Sequence, residues 1–400
     1  MFTLSISENF LLFFSAFGVL QGVLLAFVLY FHPKGDKSVN FFLAQYVFFI
    51  SIPSITLIAQ HYFSWHVIIF VQPFLLLIGP LLYLYVRSFK EVITWQKAWP
   101  HFVLFFLYLF LMYWFYRQVG EKYPATQTVP KEIPRHPLYY IPVAIRSAQR
   151  ILYYFLSYKV LASYQRSIHQ LFSETSRINL RWVKWLINGY LILVLVIISF
   201  NLLTLKYPEH YSVWVLIIGA LVTIYIYLAT LKGISQTTLW QIHPGGNKEK
   251  IEKEMQEAEK IEPAQPTDEK IKQGKTGLSN DRIEEIVSKI IAVMENEKLH
   301  EDPEFTLQQL SHKLQIPSYQ VSQAINDGMK KNFYELVNGY RVEEAKRLLA
   351  DDRNRNYTIL SVGFEAGFNS KTTFNTVFKK FTGLTPTEYR ERQKPPAVLS

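Results

Sequence analysis

The sequence contains no cysteine, which excludes disulfide bonds and thiolate metal sites. Its first nine residues contain no lysine or arginine and include Glu8. A cleaved signal peptide starts with basic residues, so we expect this N-terminus to remain in the mature protein. No motif indicates a catalytic residue, a metal site or a cofactor, and we do not expect an enzyme.

Charged residues are scarce over residues 10–232, which are mostly apolar and rich in Phe, Tyr, Leu and Ile. A helix needs about 20 apolar residues to cross a bilayer. Seven apolar stretches of about this length are predicted to be spans. Pro53, Pro73 and Pro80 do not exclude the stretches that contain them, because such breaks are tolerated inside a helix bundle. The predicted spans are 10–31, 39–59, 67–86, 99–116, 138–159, 182–205 and 211–231.

None of these spans contains Asp or Glu. Proton-coupled transport relies on carboxylates within the membrane, and hydrolysis relies on paired carboxylates, a metal or an activated nucleophile. A transporter or membrane enzyme with an accessory C-terminal domain is therefore the weaker alternative. A receptor that acts only through a protein partner is another, but it would leave the polar helix faces described below unexplained.

Loop charges predict the orientation in the lipid bilayer. If the N-terminus lies outside, the inner loops carry more Lys and Arg than the outer loops, as the positive-inside rule requires. An odd number of spans then places the C-terminus in the cytoplasm. We therefore predict a multi-pass protein of the cytoplasmic membrane.

Arg146 and Arg150 lie four residues apart in the fifth predicted span, on one helix face, with Gln149 beside them. A charge inside a span is costly and marks a functional site by default. One interpretation is a site for an anion or a carboxylate signal within the bundle. The other is that the span begins near Ile151 and the arginines lie at the lipid headgroups.

Residues 233–280 contain several Pro and Gly residues and charges of both signs. Their apolar residues are too sparse for a coiled coil over several heptads. We predict a flexible charged linker at 233–280, between a membrane domain at 1–232 and a soluble domain at 281–400. A short helix that pairs two copies as a homodimer is the alternative for this segment.

The soluble part begins with an amphipathic helix and a helix-turn-helix pattern. Ile283, Ile286 and Ile290 recur at helical spacing, so this helix packs on the next domain or self-associates. Thr306 and Gln309 form a capping box for the following helix. The next helix is predicted from about Ser318 to Met329, and its polar outer face consists of Tyr319, Ser322, Gln323 and Asn326.

A second helix-turn-helix pattern follows a long helix. Asn332 and Glu335 cap that helix, which runs to about Ala350, and the second unit starts at Thr358, with Gly367 ending its first helix. Ser370 caps the last helix of the unit, and its outward residues are Lys371, Thr372, Asn375, Thr376 and Lys379. Polar outer faces of this kind can bond base edges in the major groove. The predicted phosphate contacts are Lys330, Lys331, Lys379 and Lys380.

The stretches NFYELVNGYRVEEAKRLL and ILSVGFEAGFNSKTTFNTVFKKFTGLTPTEYR resemble the DNA-binding domain of the AraC family of bacterial transcription regulators, over about residues 281–392. Two positions depart from that family: Pro317 replaces a usual capping Ser, and Val321 replaces a usual Leu. The resemblance implies base contacts from Tyr319, Ser322 and Gln323 in the first unit and from Lys371, Thr372 and Thr376 in the second.

The membrane half resembles, in architecture, the multi-span sensor regions attached to some bacterial regulators and histidine kinases. The expected fold is thus all-α: a seven-helix transmembrane bundle joined to a cytoplasmic tandem helix-turn-helix domain. The expected function is a membrane-bound one-component transcription regulator of the bacterial inner membrane. Its expected partners are double-stranded DNA, the lipid bilayer and an unknown small-molecule or membrane signal.

Overall fold

The computed structural model describes residues 6–33, 36–126, 130, 132–133, 136–176, 178–207, 211–234, 256, 278–354 and 356–393. Within these ranges the chain is helical and has no β-strand, apart from an isolated bridge between Phe172 and Thr306. The all-α prediction is therefore confirmed. The predicted linker 233–280 lies almost wholly outside the described residues.

The chain divides into two compact units, one of residues 1–162 with 180–249 and one of residues 163–179 with 250–400. Residues 163–179 thus group with the C-terminal unit, although the sequence analysis placed them in the membrane domain 1–232. The predicted boundaries at 232 and 281 stay predictions.

The first unit is a helix bundle whose breaks follow proline. A 3₁₀ turn at Ile52–Ser54 contains Pro53, and another at Gln72–Leu76 contains Pro73. Proline lacks the amide hydrogen and clashes with the preceding helical turn, so the apolar stretches are cut into consecutive pieces. The helices are α1 (Ile6–Phe31), α2 (Lys37–Ser51), α3 (Ile55–Tyr62), α4 (His66–Val71), α5 (Ile78–Arg87), α6 (Trp95–Ala98), α7 (Val103–Gln118), α8 (Tyr140–Leu171), α9 (Arg181–Lys206) and α10 (Tyr211–Ile234). The part of α8 from residue 163 onward groups with the second unit.

Buried tyrosines tie α2, α9 and α10 together. The hydroxyl of Tyr225 on α10 donates to Leu186 O on α9 at 2.9 Å. It lies 2.7 Å from the hydroxyl of Tyr46 on α2, from which it accepts a hydrogen bond. Buried hydroxyls are stable only when paired, so this chain of bonds fixes the three helices relative to one another.

Three helical segments in the described residues are long and apolar enough to cross a membrane, not the predicted seven. These segments are His66–Arg87, Trp95–Lys122 and Arg181–Thr204. They correspond to the third, fourth and sixth predicted spans.

Two of the other four predicted spans differ from the prediction for physical reasons. The second is cut at Ile52–Ser54 by Pro53. The fifth lies in α8, where the guanidinium groups of Arg146 and Arg150 lower the mean hydropathy of the helix. The first and seventh lie in α1 and α10, where the described apolar stretches are Ser15–Phe31 and Ile217–Gly233.

The second unit is organised around one long helix that begins at a capping box. Asn332 and Glu335 bond each other's backbone amides at its start, as predicted. The helices of this unit are α11 (Asn280–Glu297), α12 (Leu307–Leu314), α13 (Ser318–Gln323), α14 (Phe333–Ala350), α15 (Ile359–Glu365), α16 (Lys371–Thr382) and α17 (Pro386–Gln393). α11 buries Ile286, Ile290 and Met294 and packs against the turn after α13, which confirms that it is amphipathic and packs on the domain.

One apolar core joins α14 to the helices that follow it. Val342 and Ala345 of α14, Val362 of α15, and Phe374 and Phe378 of α16 are at most 2% exposed and form one cluster. Burial of such side chains stabilises a fold by about 1.5–3 kcal/mol each. The cluster therefore holds α15 and α16 in a fixed geometry on α14.

Candidate functional site

α15 and α16 form a helix-turn-helix with a tight, glycine-dependent turn. Thr358 caps α15 with its side chain. At the other end, Phe368 N donates to Gly363 O at 2.9 Å, and Gly367 takes a φ of +88°. Ser370 Oγ then accepts the amide of the third residue of α16 at 3.1 Å. The sequence prediction that Gly367 ends one helix and Ser370 caps the next is confirmed.

α16 presents a polar face on the side opposite the core. Phe374, Val377 and Phe378 are buried. The predicted outward residues are exposed or half-buried: Lys371, Thr372, Asn375, Thr376 and Lys379. A helix of 12 residues with such a face has the length and chemistry to enter a major groove. The geometry predicted for the second unit is present, and its contacts with DNA stay a prediction.

The first helix-turn-helix unit, which contains α12 and α13, differs more from its sequence prediction. α12 begins at the predicted Thr306–Gln309 capping box, but the helix predicted to reach Met329 stays α-helical only over α13. The turn Ala324–Gly328 is a π-helix. An inserted π turn shifts the side chains that follow it around the helix axis. The polar outer face of the second helix of this helix-turn-helix unit is therefore shorter than predicted.

Ser322 does not lie on the outer face. It is 4% exposed, so the prediction that it lies on the outer face is wrong, and its contact with a base stays a prediction. It neighbours the buried Val321 and lies three residues before the buried Ile325, on the same side of the helix. Tyr319 is 46% exposed and Gln323 is half-buried, so both remain candidates.

The four predicted phosphate-contacting lysines are all exposed. Lys330 and Lys331 lie just before α14, and Lys330 adopts a φ of +54°. Lys379 and Lys380 lie in the last turn of α16, and Lys380 Nζ is 3.4 Å from Glu335 Oε1. An exposed ion pair of this kind contributes at most about 1 kcal/mol, so a phosphate can replace the carboxylate.

Arg341 is a residue that the sequence analysis missed. It is 0% exposed, and burial lowers the pKa of its guanidinium to about 10. Its Nε donates to His300 O at 2.8 Å, and its Nη2 donates to Asp302 O at 2.7 Å and to Ser173 Oγ at 3.1 Å. Its position four residues after Val337 and four before Ala345, on the buried stripe of α14, was the available signal.

Arg146, Gln149 and Arg150 are buried in the first unit, at 8%, 4% and 6% exposed. Gln149 Nε2 donates to Leu76 O at 2.7 Å. Of the two interpretations of the arginines, burial favours a place in the interior of the bundle over one at the headgroups. Both arginines line a cavity of about 150 Å³ within this unit.

A family model described as a helix-turn-helix domain matches residues 310–392. No curated protein and no solved structure matches the chain. The matched residues run from α12 to α17 and include both helix-turn-helix units. The match supports double-stranded DNA binding and points to a transcription regulator rather than an enzyme. Residues 310–392 are thus a helix-turn-helix domain of the AraC type.

Proposed function

We propose that this protein is a membrane-bound one-component transcription regulator that binds specific DNA sequences through α13 and α16. The observation that carries the proposal is the outward polar face of α16, held rigidly by a closed apolar core. Lys371 can bond O6 and N7 of a guanine, and Thr372, Asn375 and Thr376 can bond other base edges. Tyr319 and Gln323 of α13 supply the corresponding contacts of the first helix-turn-helix unit.

The spacing of the two units supports binding to successive turns of one groove. α14 separates them and contains 18 residues, which corresponds to a length of about 27 Å. Successive major grooves on one side of B-DNA are about 34 Å apart. A helix of this length between the two recognition helices is suited to that separation.

The apolar helices support a place in the bacterial cytoplasmic membrane. His66–Arg87, Trp95–Lys122 and Arg181–Thr204 are each long enough to span the hydrocarbon core. With the N-terminus outside, an odd number of spans would place the DNA-binding domain on the cytoplasmic side, where DNA is. In this arrangement the helix bundle of residues 1–162 and 180–249 senses a signal in or across the membrane.

Lys371→Ala and Lys331→Ala should affect DNA binding in different ways. With the full chain in lipid nanodiscs and DNA sites selected from random sequence, Lys371→Ala should relax the preference at one or two base pairs, by about 1–3 kcal/mol. Lys331→Ala should weaken binding to all sequences alike and reduce the slope of log affinity against log salt by about 1.

Gel shifts over a salt series, with selected and scrambled DNA sites, measure both effects. Absence of binding to any selected site at low salt would overturn the proposed function. Equal effects of the two substitutions on preference and on salt slope would contradict the division into base-reading and phosphate-binding residues.

A further inference from the structure

We propose that the cavity beside Arg146 and Arg150 binds a small organic carboxylate with an apolar body. The cavity measures about 150 Å³ and is lined by side chains of helices that include α1, α8, α9 and α10. A cavity of this size holds a molecule about as large as benzene. All of its lining residues belong to the first unit.

Charge is the first reason for an anionic ligand. Arginine stays protonated in proteins, and a buried cation without a counter-charge costs several kcal/mol. Here two guanidinium groups lie four residues apart on α8, both more than nine-tenths buried. No carboxylate of the described residues forms an ion pair with either one. A bound anion would neutralise this charge.

Hydrogen bonding is the second reason. Tyr190 lines the same cavity and is 3% exposed, and its hydroxyl has no hydrogen-bond partner among the described residues. A buried hydroxyl that is left unpaired costs about 1–3 kcal/mol. Carboxylate oxygens accept bonds from guanidinium groups and from a hydroxyl, so one ligand group satisfies both needs.

The remaining walls determine the rest of the ligand. They are mostly aliphatic or aromatic, and they include Leu193, Val194, Ile197, Phe200 and Val222. Such walls favour an apolar body and disfavour small, strongly hydrated anions such as sulfate, which would leave charged oxygens without partners. The carboxylate could be carried by a free acid or by a lipid headgroup.

The test uses the full chain in nanodiscs of a zwitterionic lipid. Benzoate and hexanoate serve as probes, with benzamide and hexanamide as uncharged controls, and binding is followed by calorimetry. The carboxylates should bind and the amides should not. Arg150→Gln should weaken carboxylate binding about tenfold to a hundredfold. Arg117→Gln is the matched control, since Arg117 belongs to the same unit but pairs with Glu121 outside the cavity.

Each outcome decides. A carboxylate that binds wild type and Arg117→Gln, and that Arg150→Gln loses, supports a free acid. An anionic lipid that copurifies with wild type but not with Arg146→Gln/Arg150→Gln supports a lipid source. Equal binding of carboxylate and amide, or no bound anion by either route, overturns the proposal. That this site is the sensor rests on the proposed function, and gel shifts on the same preparations show separately whether DNA binding has failed.

We further infer that residues 163–179 are a built-in partner of the DNA-binding domain and fix its first helix-turn-helix unit. Ser173 is 1% exposed and lies between two parts of that domain. Its hydroxyl donates to Phe305 O at 2.5 Å and accepts from Arg341. Its carbonyl accepts from Asn338 Nδ2 at 3.0 Å.

These bonds join the start of the first helix-turn-helix unit to the long helix α14. Phe305 directly precedes Thr306, the cap of α12, and Thr306 forms the isolated β-bridge with Phe172. Asn338 and Arg341 lie on α14. A segment bonded to both restrains α12 and α13 relative to α14, and through α14 relative to α16. The docked segment therefore keeps the two recognition helices in the spacing that DNA requires.

The absence of native cysteine permits a clean test of this inference in the full chain. Paired residues of an antiparallel bridge have Cα atoms about 4.5–5.5 Å apart, which suits a disulfide. Ser173→Ala should weaken binding to a two-unit DNA site about tenfold, since two hydrogen bonds to the segment are lost. Phe172→Cys and Thr306→Cys are then added; because Thr306→Cys also removes the cap of α12, the comparison is between the two redox states of this one variant. Oxidation should raise its affinity for DNA, and reduction should lower it again.

Ser176→Ala is the matched control, because Ser176 belongs to the same segment but is exposed. It should bind DNA as wild type does. Wild-type affinity in Ser173→Ala, or loss of DNA binding when the 172–306 disulfide forms, would refute the inference. The protection of α12 amides from hydrogen exchange should fall in Ser173→Ala and return in the oxidised protein.

Discussion

Gly367→Ala is expected to unfold the DNA-binding domain. Gly367 ends α15 with a φ of +88°, a conformation that costs other residues about 1–2 kcal/mol. The larger cost comes from contact, because a Cβ at this position would lie 2.2 Å from His300 O and 2.9 Å from Glu301 Cα. Both contacts are backbone atoms, so no side-chain rotation relieves them. We expect a loss of more than about 4 kcal/mol, a large part of the stability of an ordinary domain.

Gly383→Ala separates the two contributions. Gly383 ends α16 with a φ of +76°, and nothing lies within 4 Å of the position where its Cβ would be. Its substitution should cost only the conformational part, about 1–2 kcal/mol. Hydrogen exchange of residues 280–393 in the full chain measures both. Similar losses of protection in the two variants would show that the contact of the added Cβ with His300 O does not contribute to the loss of stability.

Features set by local chemistry could be predicted from the sequence of the second unit. The capping pair Asn332–Glu335 and the caps at Thr306 and Ser370 depend on residues three apart, and the structure contains each of them. The glycine at the end of α15 follows from the same local reasoning. For this reason the helix-turn-helix of α15 and α16 matches its prediction closely.

Features set by tertiary contacts could not be predicted in this way. Ser173 and Asn338 lie 165 positions apart in the sequence, and no local pattern brings them together. Ser322 has the residue type of a surface position, but it lies on the buried side of α13. In the N-terminal helix bundle, hydropathy identified the apolar stretches, but it did not show whether a helix continues past Pro53.

The arginines show the same division between sequence and structure. Helical spacing placed Arg146 and Arg150 on one face, but only the structure shows that this face is buried and lines a cavity. Arg341 was hidden among the charged residues of an amphipathic helix. Its neighbours on the helix indicate burial, whereas its residue type indicates exposure, and the backbone carbonyls it bonds decide the outcome.

Arg341→Met is expected to destabilise the same domain by about 3–5 kcal/mol. Methionine fills most of the space but donates no hydrogen bond. The carbonyls of His300 and Asp302 and the hydroxyl of Ser173 would each lose a charged donor, and His300 and Ser173 are buried. Arg341→Lys should recover only part of the loss, because one ammonium group cannot reach all three acceptors in the planar geometry of a guanidinium.

Arg347→Met is the control on the same helix. Arg347 has a side chain that is 58% exposed and pairs with Glu344, so its loss should change stability by less than about 1 kcal/mol. The amides of α12 and α14 should lose protection from hydrogen exchange in Arg341→Met and keep it in Arg347→Met. His300 O meets both Arg341 and the space beside Gly367, so Arg341→Met and Gly367→Ala disturb one contact and should combine less than additively. Equal protection in Arg341→Met and Arg347→Met would mean that the buried guanidinium does not organise this domain.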